Sequence, residues 1–303
     1  MIKGFTIITD EGDILDLDLF HPEANGILVD SVDGLGQVKA DLRFSDMAGS
    51  NYSSLNSARL TKRNVVFKLL YINPDSEETE TLVDHFFNTG EKVNIVVITD
   101  NKELLLSGIV ETNTPVIFSN EPDGAGAQIS IMCPDPFMYE LNEQVTVFDG
   151  IEPLFKFPFS DSNPDEIQFG TVRIIKDRSI YYTGQQETGI TITVHALGII
   201  KGLTIYNLDT NERIGIDDAA FAAITGSGII KGDDIIISTH SGSKTVTLVR
   251  DGKTTNIINA LVKNPRPDWF KLTTGDNLFT YTATEGEYHV AMNIKHRVLY
   301  KGI

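Results

Sequence analysis

The sequence is poor in the residues that carry most redox, metal and membrane chemistry. It has one cysteine in 303 residues, Cys133, so it closes no internal disulfide and offers no cysteine cluster for zinc. Cys133 lies between Met132 and Pro134 and reads as a small buried hydrophobe rather than a reactive thiol. The six histidines form neither His-x-x-x-His nor His-Glu-x-x-His. No apolar run approaches the ~20 residues of a membrane-spanning helix. The opening Met1-Ile2-Lys3-Gly4-Phe5-Thr6 lacks the basic segment and apolar core of a secretory leader. There is no Gly-x-Ser-x-Gly elbow and no EF-hand loop. Gly34-x-Gly36 and Gly124-x-Gly126 lack the third glycine of a phosphate loop, and Gly232-Asp233-Asp234 reads as a tight turn rather than a polymerase metal site. The expectation is a protein that is not an enzyme, with no cofactor and no metal site.

Positive charge is scarce in one half only. Residues 1–150 hold 9 Lys and Arg against 25 Asp and Glu, a net charge of −16, whereas residues 151–303 hold 16 against 17. So acidic a surface repels nucleic acid and anionic lipid, which argues against specific DNA binding and against a membrane partner. Simple solubility is the alternative reading of the same charge. Asp16 and Asp18, on one strand face, read as solvated charge rather than as an acid/base pair.

What is abundant is β signal. Phe5–Thr9 and Ile14–Leu19 read as a hairpin with Leu15, Leu17 and Leu19 on one face and Ile14, Asp16 and Asp18 on the other. Val65–Tyr71, Val93–Ile98 and Leu104–Val110 read as interior strands. One helix is expected over Asp75–Gly90: Asp75 and Glu78 match a capping box, Leu82, Val83, Phe86 and Phe87 make an apolar stripe, and Gly90 is the expected C-terminal cap. Ser45–Ser57 and Pro115–Ala127 read as loops. Prolines and the change in charge place a boundary near 134–153, giving domains 1–145 and 146–303. Short strands with regular turns in the second half argue for a sandwich or jelly roll, and Asp217–Ile224 for two helical turns.

The order of segments along the second half resembles a known family. Phe155-Lys156-Phe157-Pro158-Phe159 opens it. Gly232–Thr239, Lys244–Leu248 with the Asp251-Gly252 turn, Asn256–Leu261, Trp269–Leu272, Thr274–Tyr281 and His296–Ile303 follow. In the first half Arg59, Arg63–Phe67 and Cys133–Tyr139 stand where similar segments are expected. The whole chain thus resembles the distal tail protein family of long-tailed (siphovirus-type) phages and prophages. The resemblance implies a mostly β fold. An N-terminal β-sandwich-like ring domain would carry one helix and an extended belt arm, either Ser45–Ser57 or Pro115–Ala127. A C-terminal galectin-like (jelly-roll) β-sandwich would follow it.

It also implies a structural tail-tip (baseplate) protein: a homohexameric ring joining the tail tube to the tail-associated hub or lysin protein and to receptor-binding or side-fibre proteins. The implied location is the virion tail tip, assembled in the bacterial host cytoplasm. DNA would only pass through the lumen, repelled by the acidic half. The alternative is a carbohydrate-binding, lectin-like module contacting host cell-wall polysaccharide, with Trp269, Tyr181 and Tyr182 as sugar contacts. A glycosidase built on a β-sandwich is the third class; it would need a carboxylate pair that no motif identifies.

Overall fold

The computed structural model describes residues 1–47, 49, 51–72, 77–117, 125–152, 171–174 and 176–303. The Phe155–Phe159 segment, the Asp75 cap and residues 118–124 of the second expected loop lie outside the described residues. Two compact units emerge, Met1–Asn142 with Leu299–Ile303, and Glu143–Val298. The last five residues therefore belong with the first unit rather than the second.

In the first unit the strands are β1 (Ile2–Thr9), β2 (Ile14–Asp18), β3 (Ile27–Asp33), β4 (Ala40–Asp46), β5 (Ser53–Leu60) and β6 (Arg63–Tyr71). Helix α1 (Glu77–Phe86) precedes β7 (Lys92–Thr99), β8 (Glu103–Ile117), β9 (Ala125–Cys133) and β10 (Met138–Glu140). The main sheet runs β2-β1-β7-β8-β9-β6-β3, all antiparallel, with β10 on β8 and the strand Leu299–Tyr300 on β10. Alternation builds its core. Phe5 and Ile7, Leu15 and Leu17, Val65, Phe67 and Leu69, and Ile129 and Ile131 are buried on one face. Val83, Phe86 and Phe87 bring α1 onto that face, and Phe67 meets Phe5 edge-on at 5.2 Å and Phe87 at 6.3 Å.

Three expectations for this unit need correcting. The helix stops at Phe86, and Gly90 does not cap it. Gly90, at φ 91°, donates its N–H to the Val110 carbonyl at 2.8 Å and so turns the chain into the sheet. Ser45–Ser57 is not a loop but most of the β4–β5 hairpin. Of Pro115–Ala127, both ends are ladder: Pro115 pairs with Ala127 and Ile117 with Ala125.

A buried cation holds the far end of this unit together. Arg63, 1% exposed, opens β6 and donates to four backbone carbonyls. Its Nε and Nη2 reach Pro136 at 2.9 and 2.7 Å, Nη1 reaches Gly34 and, at 2.7 Å, Gly36, and Nη2 reaches Lys301 at 2.7 Å. Gly34, at φ 89°, lies so close to β6 that a Cβ there would sit 1.9 Å from the Asn64 carbonyl oxygen. Burial pulls the Arg63 pKa down, and Asp135 partly offsets that.

The second unit holds β11 (Gln144–Val147), β12 (Asp149–Glu152), β13 (Thr171–Ile174), β14 (Arg178–Tyr182), β15 (Thr188–Gly189), β16 (Thr191–Ala196), β17 (Thr204–Asn207) and β18 (Glu212–Gly215). Helix α2 (Asp218–Thr225) leads to β19 (Asp234–Ser238), β20 (Thr245–Arg250), β21 (Lys253–Asn256), β22 (Lys271–Leu272), β23 (Gly275–Thr282) and β24 (Val290–His296). A six-stranded sheet, β11-β24-β16-β19-β20-β21, faces a four-stranded one, β14-β23-β17-β18. The Tyr281 hydroxyl crosses between them to the Val290 carbonyl at 3.3 Å, and the Tyr182 ring meets His296 at 5.9 Å. This is a β-sandwich. Asp217 caps α2 by accepting from the N–H groups of Ala219 and Ala220, and Gly226, at φ 82°, ends it.

Candidate functional site

The feature of the first unit that its own core does not explain is the β4–β5 hairpin. The two strands pair with each other and with nothing else among the described strands. Ala40 faces Leu60, Leu42 faces Ala58 and Phe44 faces Leu55, so these six side chains share one face. Asp41, Arg43, Ser45, Ser57 and Arg59 take the other. Leu42, Phe44 and Leu55 are 47%, 56% and 53% exposed, and Met47 and Tyr52 at the tip are 56% and 80% exposed. Two strands alone are marginal in water; a third layer on the apolar face is what makes such a ribbon stable. The hairpin stands as an arm whose apolar face is left exposed. At its root Thr61 donates both its N–H, at 3.1 Å, and its hydroxyl, at 3.0 Å, to the Lys39 carbonyl.

The arm also carries a net positive charge in an acidic unit. Between Lys39 and Lys62 stand four cations, Lys39, Arg43, Arg59 and Lys62, against two acids, Asp41 and Asp46. All six are exposed.

The residues read as chemical candidates fall elsewhere and do not converge. Cys133 is fully buried, and burial pushes its thiol up to about 11, away from thiolate reactivity. Asp233, in the polymerase-like turn, is buried in a two-pronged ion pair with Arg250, at 2.7 and 2.6 Å, and also accepts the Ile230 N–H at 2.9 Å. Among the described residues no group of three or more His, Cys, Asp or Glu is placed to hold a metal, and no helix is long and apolar enough to cross a membrane.

The three aromatics considered for sugar do not form a platform. Tyr181 and Tyr182 are neighbours on β14 and so face opposite ways. Tyr181 is 67% exposed; Tyr182 is fully buried, with its hydroxyl donating to the Gln186 carbonyl at 2.7 Å. Trp269 is half-buried, and the Lys244 ammonium sits over its ring at 5.3 Å.

One buried titratable group went unnoticed in the sequence. His296 is 2% exposed, and neither ring nitrogen has a hydrogen-bond partner. Burial lowers its pKa, with Glu143 acting the other way. His240, within 3.3 Å of the Thr191 hydroxyl, is lowered by burial too, with Glu143 opposing and Arg297 reinforcing. Both rings fold as neutral imidazoles. The unfolded chain then binds more protons as pH falls below about 6.5, so the stability these histidines allow is full above that pH and lost on acidification. The second unit is expected to melt several degrees lower at pH 5 than at pH 7.5. In His296→Phe that difference should shrink, as read by calorimetry across the pH series.

No protein-family model matches the chain, and no curated protein matches its sequence. Solved structures do. The Dit protein (gp 19.1) of phage SPP1, presented as a paradigm of the hub adsorption apparatus of phages infecting Gram-positive bacteria, matches over 97% of this chain and 98% of its own. The TM-score is 0.66 at 14% identity. Chains of the phage p2 baseplate in its activated conformation match in two structures. With Ca the TM-score is 0.54 at 13% identity, over 98% of both chains. With Sr it is 0.52 at 14% identity, over 97% of both. The chain thus has, from end to end, the mostly β fold of these tail hub and baseplate chains.

Proposed function

We propose that this protein is a structural component of a phage tail tip, a distal tail protein without catalytic activity. Its first units close a homohexameric ring under the tail tube, with the tail-associated hub protein beneath. Its second units hold receptor-binding or side-fibre proteins outside the ring. The observation that carries this reading is the arm: an apolar, exposed, two-stranded ribbon on a chain whose fold is that of hub and baseplate proteins from end to end. An element that gains its third layer from another chain belongs to an assembly. The acidic half lines the lumen in this reading, where it keeps passing DNA phosphates from sticking, within a screening length of about 8 Å at physiological salt.

Light scattering of the purified protein across a concentration series tests it. The expected mass approaches six times 33.4 kDa, with ring-shaped particles in electron micrographs. A mass of one chain at every concentration, alone and with tail-tube protein, overturns it.

A further inference from the structure

We propose that the second unit binds an acidic sugar, in a notch on the outer face of its four-stranded sheet where residues 262–268 arch over the β17–β18 edge. The site needs neither the ring nor the arm, and none of Trp269, Tyr181 and Tyr182 lines it.

The notch is built by strand alternation and by one glycine. Ile205 and Asn207 on β17 are buried, so Thr204 and Tyr206 face outward. Their partners on β18 are Gly215 and Arg213, which makes Tyr206 and Arg213 a cross-strand pair. Gly215 keeps the floor low beside Thr204. A Cβ there would come within 3.1 Å of the Thr204 hydroxyl and 3.2 Å of the Val262 side chain. The arch stands on β18 with both feet. Val262 donates its N–H to the Gly215 carbonyl at 2.9 Å. Asp268 donates its N–H to the Arg213 carbonyl at 3.0 Å, and its carboxylate accepts the Arg213 N–H at 3.1 Å. Pro265 and Pro267 stiffen the span between the feet and, with Asn264, wall the notch. Its volume is about 150 Å³. At ~30 Å³ per water that holds about five waters, the bulk of one sugar ring.

Three features select the occupant. The polar groups are unengaged: among the described residues the Thr204 and Tyr206 hydroxyls, the Arg213 guanidinium and the Asn264 amide have no hydrogen-bond or ion-pair partner. Hydroxyls and an amide both donate and accept, as sugar hydroxyls do, whereas a bare anion uses donors alone. The Tyr206 ring and the two prolines add apolar surface for the C–H face of a sugar. Charge is the second feature. Arg213 is the one charged residue lining the notch, and Lys263 and Arg266 stand exposed on the arch. The nearby acid, Asp268, is held at the foot by the Arg213 N–H. A carboxylate or phosphate on the sugar thus meets a planar fork inside a positive rim. The third feature excludes a peptide strand. The arch takes the outward N–H and carbonyl of Arg213 and the outward carbonyl of Gly215, so the edge of the sheet is closed to strand addition there.

Saturation-transfer NMR on the full chain tests this. Glucuronate, glucose 6-phosphate and glucose are observed directly, with acetate, inorganic phosphate and tetraglutamate as competitors. At least one acidic sugar is expected to bind with a Kd of about 1–10 mM, about tenfold more tightly than glucose, the worth of a charge-assisted hydrogen bond. Whichever of the two is tighter identifies the charged group as carboxylate or phosphate. Arg213→Gln should remove the tenfold preference, while Thr204→Val and Tyr206→Ala should weaken all three sugars. These side chains lie outside the core, so the melting temperature of the second unit should hold; a variant that fails to fold is set aside and the other two decide. No binding of any sugar, equal binding of glucose and the acidic sugars, or a preference unchanged in Arg213→Gln overturns the site. Displacement by acetate or inorganic phosphate at equal concentration makes it a plain anion site, and displacement by tetraglutamate a peptide site; either overturns the sugar.

Discussion

Arg63→Met is expected to destabilise the first unit by about 3–5 kcal/mol, the cost of removing the one charged donor that serves four backbone carbonyls. Its melting transition should fall by about 10 °C, at about 2–4 °C per kcal/mol for a unit of this size. Methionine has nearly the right length, so packing is largely kept and the effect isolates the lost donors. Four carbonyls, of Gly34, Gly36, Pro136 and Lys301, lose their guanidinium partner. They come from three stretches 27 to 238 residues away in sequence, so no local rearrangement can supply a substitute. Arg63→Lys should fall between the two, because one ammonium cannot reproduce a planar fork that reaches all four oxygens. Calorimetry that separates the two units reads this directly. A first-unit transition unchanged in Arg63→Met would show that the carbonyls find water and that the cluster is incidental.

That cluster marks the limit of what the sequence discloses. Strands with two-residue alternation were legible because the signal is local: Leu15 and Leu17 inside with Asp16 and Asp18 outside needs no knowledge of the rest of the chain. Gly34-x-Gly36 was legible only as something it is not. Its glycines do bring backbone carbonyls around a ligand, but the ligand is the chain's own Arg63. Asp233 is a similar case, since only the fold shows that Arg250 closes on it.

The resemblance offered Ser45–Ser57 as one of two candidate arms, but its strand pairing was missed for a different reason. Ala40–Asp46 alternates cleanly, yet β5 gains an extra residue opposite the Arg43/Phe44 step, which puts Leu55 and Ala58 three apart and breaks the period. Ser and Asn around them then read as loop. Tyr181 and Tyr182 carried a usable signal, because adjacent strand residues cannot both face a ligand. His296 gave none, as burial of a strand-end histidine depends on which sheet lies across from it.

Excising the arm should abolish assembly and leave the fold intact. Replacing Asp41–Arg59 by Asn-Gly joins Ala40 to Leu60, which already face each other, through a two-residue turn suited to antiparallel strands. The root contact of Thr61 on Lys39 stays, and among the described residues of the stretch no fully buried one is lost. The melting temperature of the first unit is therefore expected to hold within about 2 °C, the shift that corresponds to less than 1 kcal/mol. Association is a different matter. Burying Leu42, Phe44 and Leu55 against a partner contributes about 2 kcal/mol each, so their loss weakens each contact by about four orders of magnitude. A closed ring needs every contact at once, so the excised protein should scatter light as a single chain at concentrations where the parent forms rings. If it still forms rings, the copies are held by the main sheets and not by the ribbon. The exposed apolar face of Leu42, Phe44 and Leu55 would then need another partner, outside the ring.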